Sequence, residues 1–171
     1  KVDQGRVVAF DKEKKIVTII RDKKIDTLNP DYSYLPPLTY SLPTDPMEMG
    51  PEPKAGGRLK LDMEKNDLYI YDPEIQNFAH VPFTVVEKKM GVGREDPLVK
   101  DKTFPIVDKE KRTITIYSGR QKMYAVVQVA EQFLKYPPEE WEAGDEVRIY
   151  YKEDGKALRF MNITKTDIFK K

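Results

Sequence analysis

The strongest constraint on the fold is a short turn that occurs twice. Asp11-Lys12-Glu13-Lys14 and Asp108-Lys109-Glu110-Lys111 are identical, and each lies between two apolar runs. Val7-Val8-Ala9-Phe10 leads into the first and Ile16-Val17-Thr18-Ile19-Ile20 leaves it; Pro105-Ile106-Val107 leads into the second and Thr113-Ile114-Thr115-Ile116-Tyr117 leaves it. Runs rich in β-branched residues, broken by an Asp-led polar cluster, predict an antiparallel hairpin. Later in each half a glycine opens another hairpin. Residues 55–62 (AGGRLKLD) turn at Glu64-Lys65-Asn66-Asp67 and return along Leu68-Tyr69-Ile70-Tyr71, while residues 143–151 (AGDEVRIYY) turn at Glu153-Asp154-Gly155 and return along residues 157–161. Two hairpins in the same order in both halves predict an internal duplication.

Within these runs one face is apolar and the other polar or aromatic. Ile114 and Ile116 oppose Thr113, Thr115 and Tyr117, and Val147 and Ile149 oppose Arg148 and Tyr150, the alternation of half-buried antiparallel strands. A further strand is expected over 123–129, with Ala125, Val127 and Val129 on one side. After it come Glu131 to Lys135 and Pro137-Pro138-Glu139-Glu140-Trp141, where Pro and early carboxylates suit the first turn of a short helix. Hairpin, third strand, helical turn and hairpin is the element order of a five-stranded OB-type barrel, and it is close to that of an SH3-like barrel. The first half departs from it: residues 30–53 hold seven of the thirteen prolines, which forbid regular ladders beyond an edge strand such as 38–42.

The expected fold class is therefore all-β, two tandem small OB-like or SH3-like barrels. Residues 1–92 form the first, with its Pro-rich insertion over 30–53, and residues 99–171 the second, with a short helical turn. Met90-Gly91-Val92-Gly93-Arg94 breaks the strand pattern, and the boundary is placed near 90–103; Asp45-Pro46, Asp72-Pro73 and Asp96-Pro97 add three turn signals. Each half is of a size at which a lone core is marginal, so the two are expected to pack on each other.

Composition narrows the chemistry. With 30 Lys and Arg against 29 Asp and Glu, the chain has no excess cations to release phosphate counterions, and nucleic acid is not an expected partner. The absence of Cys removes disulfides, thiolate zinc, iron–sulfur ligation and a Cys nucleophile. The longest apolar stretch, near 16–20, is far short of the ~20 residues that span a bilayer. The chain begins at Lys1 rather than Met, so an upstream segment, a tag or an export signal, is expected.

Candidate groups are few. His80 is the single histidine, and the serines are Ser33, Ser41 and Ser118, none in a nucleophile-elbow setting; His80 is expected on a surface or turn. Gly91-Val92-Gly93 is neither a dinucleotide fingerprint nor a P-loop and reads as a linker. Met47 and Met49 form a Met-x-Met of the kind that suits Cu(I). A small OB barrel with Met, His and Trp near one another would be similar to the periplasmic copper chaperones of that fold. Here the His and Met pair are missing from the strands and Trp141 falls in a turn, so no metal and no cofactor are expected. The candidate ligand face is aromatic and basic: Tyr117, Arg120, Tyr124, Arg148 and Tyr150, sharing or bordering the polar side of the second barrel's sheet.

Three runs carry a resemblance: residues 5–22 (GRVVAFDKEKKIVTIIRD), residues 107–123 (VDKEKRTITIYSGRQKM) and residues 144–171 (GDEVRIYYKEDGKALRFMNITKTDIFKK). The chain resembles an uncharacterised family of small exported lipoproteins from sulfate-reducing bacteria. The resemblance implies an envelope location, a signal peptide and a lipid-bearing Cys upstream of Lys1, and membrane contact only through that lipid. It implies no catalytic or binding residue. The expected function is non-catalytic, a binding or scaffolding module for an envelope protein or ligand. A periplasmic metal or small-ligand carrier using Met47 and Met49 or the tyrosine face, and an OB-type nucleic-acid binder, are the alternatives.

Overall fold

The computed structural model describes residues 1–22 and 36–166, and within them eleven strands form two antiparallel sheets. The strands are β1 (Val2–Asp11), β2 (Ile16–Arg21), β3 (Leu38–Ser41), β4 (Arg58–Asp62), β5 (Asp67–Asp72) and β6 (Asn77–Met90), then β7 (Ile106–Asp108), β8 (Thr113–Ser118), β9 (Met123–Val129), β10 (Glu146–Tyr151) and β11 (Ala157–Asn162). The first sheet has the order β11-β10-β1-β2-β3 and the second β4-β5-β6-β9-β8-β7. The strand β3 is the edge strand expected inside the Pro-rich stretch, whose residues 30–35, with Ser33, lie outside the described residues.

Turn chemistry explains the hairpins. In the repeated turn, Asp11 Oδ1 accepts the Lys14 backbone N–H at 2.9 Å and Asp108 Oδ1 accepts that of Lys111 at 3.1 Å. The next residue returns the chain through the left-handed region, Lys15 at φ 53° and Arg112 at φ 55°. The same device recurs at Asp62 with Asn66, Asp72 with Gln76, and Ser118 with Lys122. An oxygen at the first position satisfies N–H groups that the ladder has released, and this compensates a left-handed non-glycine residue that costs about 1–2 kcal/mol. The three Asp-Pro pairs also turn this way, with Asp45, Asp72 and Asp96 each accepting the N–H two residues on at 2.9 Å.

The two closed barrels do not form: the sheets are open, and each takes strands from both sides of the expected boundary. Strand β1 pairs with β10 (Val2↔Tyr150 to Arg6↔Glu146), and β6 pairs with β9 (Phe83↔Val129 to Met90↔Met123). The physical cause is β6. Its first part, Asn77 to Pro82, pairs with β5, and its second part, Phe83 to Met90, pairs with β9. The second meander, β7-β8-β9, is thereby joined to the first half's hairpin, and the edge of β1 is left for β10. Pro82 sits at the handover, where the β5 ladder ends and its missing N–H breaks little. The expected linker is packed down: Val92 N–H donates to Lys122 O at 2.9 Å, and Val92 and Val99 are buried.

The cores follow the sheets. Val7, Val17, Ile19, Tyr40, Val147, Ile149 and Phe160 cluster on one face of the first sheet. Leu68, Ile70, Val81, Ile114, Ile116 and Val127 cluster on the second. Leu134, Tyr136 and Trp141 cover that second cluster. They come from or border two 3₁₀ turns, Glu131–Lys135 and Pro138–Trp141, in place of the expected short helix. A third, smaller cluster joins the sheets, Val8 and Ile20 of the first against Leu59 and Tyr71 of the second. Each such side chain, fully buried, contributes about 1.5–3 kcal/mol. Among the described residues no helix is long and apolar enough to cross a membrane.

The two glycine-led segments meet where β4 and β10 begin. Gly57 bridges Ala143, Gly56 N–H donates to Val7 O at 3.2 Å, Val7 N–H to Asp145 O at 2.9 Å, and Asp145 N–H to Lys54 O at 2.8 Å. Three backbones therefore interlace with no room for side chains. A Cβ on Gly56 would lie 2.4 Å from Glu142 O, and one on Gly144 would lie 1.9 Å from Val7 O.

Candidate functional site

The five residues of the expected ligand face fall on two sheets. Tyr117 and Tyr124 are cross-strand partners on β8 and β9, and Phe104 packs on both, at ring-centroid distances of 5.7 and 6.4 Å. The Tyr117 hydroxyl donates to Val92 O at 2.9 Å. Arg120 is exposed in the turn between these strands. Arg148 and Tyr150 lie on β10 in the other sheet: Arg148 Nε donates to Gln4 Oε1 at 3.0 Å, and Tyr150 stands opposite Val2 and Arg159. Sequence reasoning grouped the five on or beside one sheet of a second barrel, whereas β10 pairs with β1 and β11.

The remaining candidates are dispersed. His80 Nε2 is 2.9 Å from Asp67 Oδ2 on the neighbouring strand, and its side chain is half exposed. Ser41 Oγ donates to Gly155 O and Ser118 Oγ accepts from Gln121 N–H, both at 3.3 Å. Met47 is 87% exposed, while Met49 packs against the core of the first sheet, so the two thioethers serve different surroundings. Trp141 is fully buried against Tyr136.

The glycine crossing builds a cleft that the sequence did not announce. Lys54 and Arg58 flank Gly56 and Gly57 on one segment, and Glu142 and Ala143 precede Gly144 on the other. Phe104, Pro105, Ile116 and Tyr117 complete the lining of this open cleft, whose volume is about 200 Å³. Lys54 Nζ and Glu142 Oε2 pair at 2.9 Å, and Arg58 N–H donates to Glu142 O at 2.9 Å. Burial lowers the pKa of the Arg58 guanidinium, the neighbouring Arg6 lowers it further, and Glu142 opposes both. The group stays a cation at neutral pH, because a guanidinium does not give up its proton in proteins.

Beneath the crossing lies a buried polar cluster on the face of the first sheet that carries Ile20. Gln4, Asp22 and Glu146 are 1%, 5% and 1% exposed. Arg6 Nη2 lies 3.6 Å from Glu146 Oε2, and Arg6 Nη1 donates to Gly144 O at 3.0 Å. Burial pushes the Asp22 carboxyl up to about 9, the Glu146 charge and hydrogen bond add to it, and Arg6 and Gln4 act against it. Asp22 therefore keeps its proton at neutral pH, and Arg6 lies beside Glu146. Shielded from water, this acid pair lies on the first sheet, Glu146 on β10 and Asp22 just after β2. It is poorly placed to exchange protons with a substrate.

Sequence reasoning missed Lys54, Arg58, Phe104 and Glu142 as one group. The signal within reach was the pair of AG dipeptides, each followed by a strand, but their convergence is a tertiary event. All of residues 1–171 match the model of a domain of unknown function, DUF4881, and the chain belongs to this family. No curated protein and no solved structure matches the chain.

Proposed function

We propose that this member of the DUF4881 family is a non-catalytic binding module of the cell envelope, anchored by lipid on a Cys upstream of Lys1. It presents the cleft at the glycine crossing to a ligand or partner. The observation that carries the reading is the cleft's lining. Its aromatic and apolar wall, Phe104, Pro105, Ile116 and Tyr117, faces an arginine, and this is the wall and fixed polar group of a recognition site. The envelope part rests on the resemblance to small exported lipoproteins. The recurrence of meander and hairpin, with the same Asp-led turn at Asp11 and Asp108, supports a duplicated OB-like unit whose hairpins have exchanged.

Intact mass and membrane partition of the full-length protein from its own host test the location. A diacyl or triacyl mass on a new N-terminal Cys is the expected result, and an unmodified chain in the cytosol overturns it. Substrate turnover by the purified protein that vanished on His80→Ala would overturn the non-catalytic part.

A further inference from the structure

Arginines in this chain divide by what they touch. Four of the eight are partly buried, namely Arg6, Arg21, Arg58 and Arg148. Arg6 is paired with Glu146 and the Gly144 carbonyl, Arg21 Nη1 with Asp3 Oδ1 at 3.2 Å, and Arg148 with Gln4. Among the described residues, no side-chain hydrogen bond or ion pair engages the Arg58 guanidinium; Glu142 acts on it only through its charge. A partly desolvated cation without an acceptor is costly, and it is the state that a ligand anion relieves.

The charges of the cleft set the valence of that anion. Lys54 and Glu142 neutralise each other at 2.9 Å, which leaves the single positive charge of Arg58. A monoanion balances it, whereas a dianion such as phosphate meets Glu142. The planar fork of a guanidinium fits a carboxylate through two parallel hydrogen bonds. Phe104 and Tyr117, 5.7 Å apart at an angle of 45°, offer ring faces and edges to an apolar or aromatic body. A space of about 200 Å³ holds the volume of roughly seven water molecules and lies below the roughly 300–1,000 Å³ of drug-sized pockets. That is room for one ring or one amino-acid residue.

We propose that the cleft between Lys54, Arg58, Phe104 and Tyr117 binds a small monocarboxylate, its carboxylate on Arg58 and its apolar body against the two rings. The proposal rests on the reading of the cleft as a recognition site and specifies its ligand. Two sources share this chemistry, a free small acid and the terminal carboxylate of a polypeptide.

Nuclear magnetic resonance titration of the 171-residue chain with phenylacetate tests it, followed at the Arg58 Nε–H and the backbone N–H groups of Phe104 and Tyr117. Saturable shifts are expected at all three, with phenylacetamide at least tenfold weaker because it lacks the charge. Arg58→Gln should weaken phenylacetate by tenfold or more, and Arg58→Lys by less. The comparison of acid with amide needs no variant, so it holds even where Arg58→Gln fails to fold. Equal shifts with acid and amide, or shifts away from Phe104 and Tyr117, overturn the proposal, as does inorganic phosphate binding more tightly than phenylacetate. A short peptide ending in a free Phe carboxylate that binds more tightly than phenylacetate assigns the site to a chain end; one that binds no better assigns it to a free acid. Failure of the titration with the lipid present removes the ligand alone, and a positive titration with no lipid removes the location alone.

Discussion

Replacing Asp22 with asparagine should change how stability depends on pH more than it changes stability itself. The Asp22 carboxyl is raised from 3.8 to about 9, first by burial and then by Glu146. A carboxyl that holds its proton more tightly in the folded chain contributes stability that is fully present below the unfolded value, near 4. That stability is lost as pH rises toward and through about 9. Within this window the folded chain binds up to one more proton than the unfolded one, so stability falls by up to about 1.4 kcal/mol per pH unit. Between pH 6 and pH 8 the loss is up to about 3 kcal/mol, a large share of the roughly 5–15 kcal/mol that holds a domain together. The asparagine amide reproduces the shape of a protonated carboxyl and titrates nothing.

Urea denaturation of the wild type and Asp22→Asn at pH 5, 6, 7 and 8 measures this directly. The variant should gain on the wild type at every step from pH 5 to pH 8, by up to about 1.4 kcal/mol per pH unit. A second substitution apportions the cause: Glu146→Gln removes the neighbouring negative charge, so the remaining Asp22 should titrate lower and the pH dependence should flatten. A stability difference between wild type and Asp22→Asn that stays constant from pH 6 to pH 8 would refute the reasoning. It would mean that Arg6 stabilises both carboxylates as anions.

Lys15→Gly and Arg112→Gly should each raise stability by a few tenths to about 1 kcal/mol, since both residues are held at φ near +55° in turns that glycine enters freely. Asp11→Ala and Asp108→Ala should lower it by about 1 kcal/mol through the lost turn hydrogen bond; thermal denaturation reads both signs. Gly144→Ala should cost more than about 3 kcal/mol in urea denaturation, because a methyl group 1.9 Å from Val7 O forces the interlaced backbones apart. Tyr136→Phe removes the hydroxyl that donates to Asp72 Oδ2 at 3.0 Å and should cost about 1–2 kcal/mol by the same assay.

Local chemistry was legible in the sequence and long-range pairing was not. The repeated Asp-led turn, the alternation across 113–117 and the strand at 123–129 depend on neighbours within a few residues, and the structure has each of them in place. Strand β6 escaped because its second part, Thr84 to Met90, shows no clean alternation. Glu87-Lys88-Lys89 are three charged residues in a row, and Pro82 interrupts the strand. The run 77–83 around His80 is strand-like in sequence, but its continuation to Met90 and its pairing with β9, which set the order of both sheets, are not legible there. Arg148 and Tyr150 were then placed beside Tyr117 and Tyr124, although their actual neighbours are Gln4 and Val2, more than 140 positions away in sequence. The Asp22–Glu146 pair left no trace either, since a carboxyl's burial is decided by which strands meet over it.

The meeting of the two glycine-led segments is what builds the cleft. Lys54 and Arg58 come from the first half, and Phe104, Ile116, Tyr117 and Glu142 from the second, so neither half alone has both the cation and the aromatic wall. The glycines that let the segments cross place Arg58 N–H on Glu142 O and fix where the guanidinium starts. The same crossing seals Gln4, Asp22 and Glu146 beneath it, with Arg6 reaching from that cluster to the carbonyl of Gly144. Loosening of the buried acids would therefore be felt at the backbone that lines the cleft. Alkaline pH, which strips the proton from Asp22, should weaken phenylacetate binding in the wild type and leave it unchanged in Asp22→Asn. Parallel loss of binding in both proteins would show that the cleft and the acid pair are mechanically independent.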